Sequence, residues 1–441
     1  MVEIQIPEKV NKIIHTLQEH GYEAYAVGGC VRDSFLGREP MDWDITTSAM
    51  PEETKALFPH TFDTGIEHGT ITVLLDHEGF EVTTYRVDGK YEDSRHPKEV
   101  IFVRNLQEDL LRRDFTINAM AYNEKDGLVD IFGGMDDLKA GIIRCVGNAQ
   151  ARFSEDALRI LRGIRFAAQL GFELEDETRE GMRLLAPTLR KISAERIQVE
   201  LLKTLTSSRP DLLREAWKLG ITKEFLPEFD LAMETTQETV HHMYTVGEHI
   251  LHTLLEVRPD RILRLTMLLH DIGKPYMKTM DADGVAHFKG HPEKSSELAN
   301  EILHRLKFDN DTIRKVTKLV RYHDHRMPVT PAHVRRAVHE IGEDLFPLYL
   351  EVRRADVAAQ SMYQHKEKVA DIDGVEKLYH EIMERKECVS LKMLAVTGKD
   401  LIAAGMKPGK EIGQMLEHFL DLVLEHPELN QKEELLKRIE L

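Results

Sequence analysis

Residues 24–47 read AYAVGGCVRDSFLGREPMDWDITT, and the fold turns on this stretch. A short apolar, β-prone run meets Gly28-Gly29. The chain then opens into a helical turn carrying Arg32 and Asp33, and a second β-prone run starts with Asp42-Trp43-Asp44. Paired glycines let the backbone approach a polyphosphate, and the free N–H groups of a helix start favour negative charge. Arg32 can clamp phosphate. Residues two apart in an extended chain project to one side, so Asp42 and Asp44 can hold a divalent cation between them. An isolated Gly-Gly is ordinarily a tight turn and an isolated Asp-x-Asp a solvated strand edge. Strand, glycine pair, helix and Asp-x-Asp in that order are far more specific.

Working outward, residues 7–20 place apolar side chains at helical spacing behind Pro7. GTITVLL, FEVTTYR and EVIFV are further β-branched, turn-bounded runs, so an α/β module ends near Gly147. From about 148 to 207 the pattern is helical throughout, strongest in EDALRILRGIRFAAQLGF and SAERIQVELLKTL, and more helices follow to the end. No repeat or low-complexity run interrupts it. The length of 441 residues suits about three domain-sized units, and 42% hydrophobic with 31% charged content is that of an ordinary globular protein. No segment approaches the roughly 20 apolar residues of a membrane helix, and the start lacks a signal-like apolar core, so a cytoplasmic protein with no membrane partner is expected. Cys30, Cys145 and Cys388 show no paired spacing. The formal net charge of −17, from 59 Lys+Arg against 76 Asp+Glu, argues against a general polyanion binder. Any nucleic acid must meet a local basic surface.

With Arg112-Arg113-Asp114-Phe115-Thr116-Ile117-Asn118-Ala119, Glu155-Asp156-Ala157-Leu158-Arg159-Ile160-Leu161-Arg162 and Glu195-Arg196-Ile197-Gln198-Val199-Glu200-Leu201 following in order, residues 20–207 resemble the class II template-independent nucleotidyltransferases. These are the tRNA nucleotidyltransferase (CCA-adding) and bacterial poly(A) polymerase family. The resemblance implies an α+β chain: a polymerase-β-like nucleotidyltransferase head with a small β-sheet over 1–147, a helical nucleotide-selecting neck over 148–207, a helical body over 208–360 and a helical, tRNA-binding tail over 361–441. It implies Mg2+ in the head, CTP and ATP as substrates, and the tRNA acceptor end as partner.

The residues make chemical sense beside that resemblance. Phosphoryl transfer is mainly positioning and charge neutralisation, and two metal ions can stabilise the attacking and leaving oxygens. Asp42 and Asp44 would ligate them. Glu81, in FEVTTYR, is a third carboxylate or a solvated strand glutamate. Gly28, Gly29, Arg32 and Asp33 form the nucleotide-binding start. Adjacent Arg112 and Arg113 cannot share a helix face, so one can reach phosphate while the other pairs with a carboxylate. Asp114 and Asn118, four apart, suit a sugar hydroxyl or a structural hydrogen bond, and Arg162 joins the nucleotide-binding set.

Asp156 and Arg159 lie three apart, on one face of an expected helix. A carboxylate accepts hydrogen bonds and a guanidinium donates them. Cytosine and adenine each present an amino donor beside a ring-nitrogen acceptor, which matches such a pair. Uracil and guanine present the reverse and would leave buried groups unpaired, at roughly 1–3 kcal/mol. In the family these positions select CTP and ATP; an intrahelical ion pair is the alternative. CC-only members lack a flexible loop after the metal site, and residues 88–97 (DGKYEDSRHP) fill that place, which disfavours CC-only addition. Arg95-His96-Pro97 departs from the family's Arg-Arg-Pro, which leaves A-only addition beside a CC-adding partner as a second reading. The chain lacks the basic C-terminal extension of the poly(A) polymerases.

Residues 241–360 resemble an HD domain: His249, the doublet His270-Asp271 and Asp356 match its ordered ligands, and His291 and His323 fall where additional ligands or phosphate-contacting groups lie. Mixed imidazole and carboxylate donors suit a divalent transition metal or Mg2+. The resemblance implies either a metal-dependent phosphodiesterase or phosphatase or a helical support for RNA. Near the end, Gly405-Met406-Lys407-Pro408-Gly409-Lys410-Glu411-Ile412-Gly413 resembles the family's tail segment, in which Lys407, Gly409 and Lys410 would meet RNA phosphate; an ordinary helix start is the alternative. Two other classes compete with the leading one. They are a phosphohydrolase whose N-terminal module only binds RNA, and a nonenzymatic tRNA-binding protein.

Overall fold

The computed structural model describes residues 3–88 and 100–439. The chain divides into two compact units, Met1–Pro227 and Glu228–Leu441. Most of the loop at 88–97 lies outside the described residues.

The first unit is built on strands β1 (Ala24–Val27), β2 (Ile45–Thr47), β3 (Thr61–Gly65), β4 (Thr70–Leu75), β5 (Glu78–Thr84), β6 (Arg86–Asp88), β7 (Val100–Phe102), β8 (Met120–Asn123) and β9 (Gly127–Asp130). Seven form one sheet in the order β3-β4-β5-β2-β1-β8-β9, while β6 and β7 pair separately. Only β2 and β5 run parallel within the large sheet, with Ile45 opposite Val82. Both faces of β1 and β8 are buried, which explains the unbroken apolar run of β1 and the lack of polar alternation in β8. The helix Glu8–Glu19 turns Val10, Ile13, Ile14 and Leu17 inward and packs on β1. Burying each such side chain contributes about 1.5–3 kcal/mol.

Asp42 and Asp44 do not lie in a strand. They occupy the extended segment just before β2, where the Asp44 carbonyl still accepts from Val27 N at 3.0 Å. The helices Ala149–Glu155, Leu158–Leu170, Asp176–Leu185 and Ala194–Leu205 follow. A short strand departs from the all-helical expectation for 148–207: Glu173–Leu174 pairs in parallel with Ile142–Ile143, which ties the helical segment back to the sheet-bearing part. Leu158–Leu170 is buried along nearly its whole length and packs on Ala194–Leu205.

The second unit is helical apart from a two-residue hairpin, Thr279–Met280 with Ala286–His287. Asp260 caps the helix Arg261–Leu269 by accepting from the N–H groups of Ile262 and Leu263. Val334, Val338, Ile341, Phe346 and Ile372 form one core, and Leu401, Phe419, Leu420, Val423 and Leu435 another. Buried Arg335 stitches them, donating to the Leu424 carbonyl and to Glu387, both at 2.7 Å. The expected last helical segment is two helices, Gly398–Ala403 and Lys410–Glu425, because Gly405 takes a positive φ and Pro408 cannot donate to a continuing helix. Among the described residues no helix is long and apolar enough to cross a membrane.

Candidate functional site

A cavity of about 460 Å³ in the first unit is lined by Gly28, Gly29, Arg32, Asp44 and the Arg112–Asp114 run, and on its other side by Asn118, Asp156, Arg159 and Arg162. Residues separated by more than a hundred positions thus face one space. Gly28 has φ +83°, and a Cβ there would stand 2.9 Å from an Arg113 guanidinium nitrogen. Only glycine fits this bend. Buried Arg32 grips Asp33 through two hydrogen bonds of 2.9 Å and donates its remaining terminal nitrogen to the Asn118 side-chain oxygen. Asn118 donates to Asp114 Oδ1 at 3.2 Å, and Arg162 Nε donates to Asp114 Oδ2 at 2.7 Å. Asp114 and Asn118 do not lie on an α-helix face; a 3-10 turn, Thr116–Asn118, brings them together. Burial alone would push the Asp114 carboxyl up, but the Arg162 charge outweighs it and holds the group down at about 2.

Asp42, Asp44 and Glu81 feel one another. Asp44 and Glu81 stand at neighbouring register positions, each one residue before the paired Ile45 and Val82. Burial raises the Asp44 carboxyl above its ordinary value, Arg113 opposes this and Asp42 adds to it. The Glu81 carboxyl is raised by partial burial and by Asp44 and Asp42. Three oxygen-donor carboxylates set close to one another suit a hard divalent cation, whose charge relieves their repulsion. Both Arg112 and Arg113 turn toward one carboxylate, Asp109, at 2.8 and 3.6 Å. Burial would raise that carboxyl, yet the two guanidinium groups keep it lowered.

Asp156 and Arg159 do not share a helix. Asp156 is extended (φ −139°, ψ 106°) between two helices, and its Oδ1 accepts from Leu158 N at 3.0 Å. They form no ion pair with each other. Asp156 Oδ2 is held by Arg196 at 2.6 Å, whereas Arg159 donates to Glu155 at 2.7 Å and to the Arg112 carbonyl at 2.9 Å. An acceptor and a donor therefore line the same cavity, each fixed by its own partner. Two side chains of this cleft and one behind it escaped the reading from sequence: Arg196, then Phe166, whose ring lies 5.1, 5.3 and 4.1 Å from the guanidinium carbons of Arg32, Arg162 and Arg165, and buried Asp109, which pairs with the lining Arg112 and Arg113. Arg196 and its partner Asp156 stand 40 residues apart in two separate motifs, so their pairing is not visible along the sequence.

In the second unit His249, His270, Asp271, His291, His323 and Asp356 are all buried and converge. Each histidine turns Nδ1 to a main-chain carbonyl: His249 to Ala359 at 3.3 Å, His270 to Met267 at 2.8 Å, His291 to Phe288 at 2.8 Å and His323 to Val320 at 2.6 Å. A carbonyl only accepts, so Nδ1 donates and, in the neutral ring, Nε2 presents a bare lone pair. Those lone pairs face carboxylates. His249 Nε2 lies 3.0 Å from Asp356 Oδ1, and all four Nε2 atoms lie 3.4–3.6 Å from an Asp271 oxygen. Neither Asp271 oxygen, though buried, accepts a hydrogen bond of good direction; the Lys274 ammonium lies 2.7 Å from Oδ2 as an ion pair. Burial would raise the Asp271 carboxyl, but Lys274 and His270 hold it well below the carboxylate range. Such a donor set fits a divalent transition metal. A cavity of about 530 Å³ opens over it, bordered by Lys274, Lys289 and Arg326.

At the tail, Lys407, Gly409 and Lys410 are exposed, with Gly409 at the N-cap of Lys410–Glu425. Elsewhere, buried Glu200 takes up Arg165 at 2.8 Å and Asp373 takes up Arg354 at 2.7 Å.

Comparison with known proteins gives three family matches: "Poly A polymerase head domain" over residues 24–144, "Probable RNA and SrmB-binding site of polymerase A" over 171–233, and tRNA nucleotidyltransferase domain 2 over 290–439. The CCA-adding enzyme of Levilactobacillus brevis is 37% identical over 410 residues, 93% of this chain and 91% of that protein. That of Limosilactobacillus reuteri is 34% identical, with 98% and 96% covered. Among solved structures, the Bacillus stearothermophilus CCA-adding enzyme in complex with CTP superposes with a TM-score of 0.72 at 28% identity, covering 96% of this chain and 94% of that one. The Thermotoga maritima CCA-adding enzyme, at 22% identity and a TM-score of 0.62, shares the fold.

Proposed function

The chain belongs to the CCA-adding enzyme family of nucleotidyltransferases, and from that premise we propose that it builds and repairs the tRNA 3′ CCA end from CTP and ATP without a nucleic-acid template. The 3′ oxygen of the RNA attacks the α-phosphorus; a new O–P bond forms and the bond to pyrophosphate breaks. Asp42, Asp44 and Glu81 would hold the divalent metal, Mg2+ in this reading, which when bound supplies charge neutralisation for the triphosphate. Gly28 and Gly29 let the backbone approach the phosphates, and Arg32, Arg112 and Arg113 supply positive charge around them. Asp33, Asp114, Asn118 and Arg162 form the network that fixes those groups and the floor beneath the sugar.

Asp156 and Arg159 select the base. Asp156 has acceptor capacity beyond its bonds to Leu158 N and Arg196, and Arg159 has donor capacity beyond Glu155 and the Arg152 and Arg112 carbonyls. The observation that carries the reading is one cavity joining the glycine pair, Asp44 and this acceptor–donor set. Replacing Asp44 with Asn should lower CTP incorporation into tRNA by at least about a thousandfold while leaving the circular dichroism unchanged. Incorporation near the parent rate would refute it. Lys407, Gly409 and Lys410 would contact the tRNA backbone.

A second activity is favoured by the buried His/Asp set of the other unit, which fits an HD-type metal centre hydrolysing phosphate esters. On a 2′,3′-cyclic phosphate, a water oxygen bonds to phosphorus, one ring P–O bond breaks, and the released ribose oxygen takes the proton. Hydrolysis with Ni2+ or Mn2+ that disappears in Asp271→Ala supports this activity; its absence removes it.

A further inference from the structure

We infer that the open face of the sheet beside the metal carboxylates seats the 3′ end of the RNA acceptor, with Phe62 as a stacking platform for its bases and the Thr64–Thr72 hydroxyl pair as a contact to its backbone. This rests on reading the first unit as the nucleotidyl-transfer site. A single row across the sheet runs outward from the carboxylates. Asp44 and Glu81 stand level on the approach to β2 and on β5, Glu81 is paired with Thr72 on β4, and Thr72 is paired with Phe62 on β3. Paired residues on adjacent strands share a face, so these side chains rise from one side of the sheet. The opposite side is the core, where Ile71, Val73, Phe80 and Val82 are buried. On the open side Glu81 is exposed, and Phe62 leaves 56% of its surface in water. The next residue of that face on β5 is Gly79, which has no side chain to stand over the row; a Cβ there would come within 3.0 Å of Thr72.

In-line displacement fixes the side from which the acceptor comes. Gly28, Gly29, Arg32 and Arg113 line the nucleotide cavity on the β1 side of Asp44, and pyrophosphate leaves toward them. The attacking 3′ oxygen therefore arrives from the other side of the α-phosphorus, over β5, β4 and β3. Among the described residues, Glu81, Thr72 and Phe62 stand outside the lining of that cavity. Phe62 lies two strands from Glu81, about 10 Å away at the usual strand spacing. At about 3.4 Å per stacked nucleotide, its ring meets bases up to about three positions behind the attacking hydroxyl. The acceptor end changes with every addition, so a contact there must take any base. A ring face does so, because every base has a π face. The exposed Thr64 and Thr72 hydroxyl oxygens lie 2.8 Å apart. One donates to the other, and the second keeps its O–H for a phosphate or ribose oxygen.

The test is steady-state addition by the full-length chain with Mg2+, of C to tRNA ending before CC and of A to tRNA ending after CC. Phe62→Ala should lower kcat/KM for tRNA about tenfold while the KM for the nucleotide stays at the parent value. Phe62→Trp, which keeps a ring face, should restore the parent efficiency. Thr64→Val with Thr72→Val, which keeps the shape without the hydroxyls, should shift the same parameter in the same direction. On tRNA whose terminal nucleotides are abasic, Phe62→Ala should match the parent chain, because no base remains to stack. Parent efficiency in Phe62→Ala, a nucleotide KM raised alongside, or an undiminished effect on the abasic tRNA overturns the platform, while addition by the parent chain leaves the transfer reading standing. Parent efficiency in the double threonine variant overturns the hydroxyl contact. No addition to either tRNA by the parent chain overturns the transfer reading and the seat together.

Discussion

At Asp156 one carboxylate serves two masters, a main-chain N–H and Arg196, and what remains of it is presented to the nucleotide cavity. Asp156→Ala should therefore relax selection against UTP and GTP while keeping residual transfer, and Arg196→Ala should do the same more weakly by freeing the carboxylate. Misincorporation of each single nucleotide into tRNA reads both; unchanged CTP and ATP preference in Asp156→Ala contradicts the assignment. Asp114 makes a separate prediction. Its folded pKa of about 2 lies below the ordinary carboxylate value, so the stability it contributes is complete above about pH 4 and lost as pH falls toward 2. Asp114→Asn should cost about 2 kcal/mol at neutral pH and flatten that acid limb, as measured by urea unfolding across pH. Residues whose chemistry sits in a local pattern, such as Gly28-Gly29 or Asp42-x-Asp44, are legible in one dimension. Arg196, Asp109 and Phe166 are not, because their meaning lies in partners that only folding supplies.

The glycine turn between β1 and the helix Gly29–Phe35 is the element with least freedom. Gly28→Ala would force a side chain into the left-handed region and against Arg113, at a cost of about 1–3 kcal/mol, and should raise the KM for CTP in initial-rate assays. The strands rich in β-branched residues, β2, β4, β5 and β7, and the apolar run of β1 could be read from sequence. β8 could not: Met120–Asn123 is buried on both faces and lacks alternation. β3 failed for the opposite reason, being an exposed edge without an apolar stripe. Helical periodicity likewise ran through Asp156, since the break there is made by one side chain capping the next helix rather than by Gly or Pro.

For the whole chain, the net charge of −17 coexists with cationic groups gathered at the nucleotide cavity and at the tail. Nonspecific binding to polyanions should be weak and tRNA binding strongly salt-dependent. Lys407→Ala with Lys410→Ala should lower the slope of log Kd against log salt by about 1–2. The central claim is chemical, and one assay addresses it most directly: purified chain with Mg2+ and tRNA ending before CC, after CC, or complete, given CTP, ATP or both. The account predicts CC from CTP alone on the first substrate, a single A on the second, full CCA with both nucleotides, and no extension of the third. Failure to add C to the first substrate, with A still added to the second, would contradict full CCA addition and leave an A-adding enzyme.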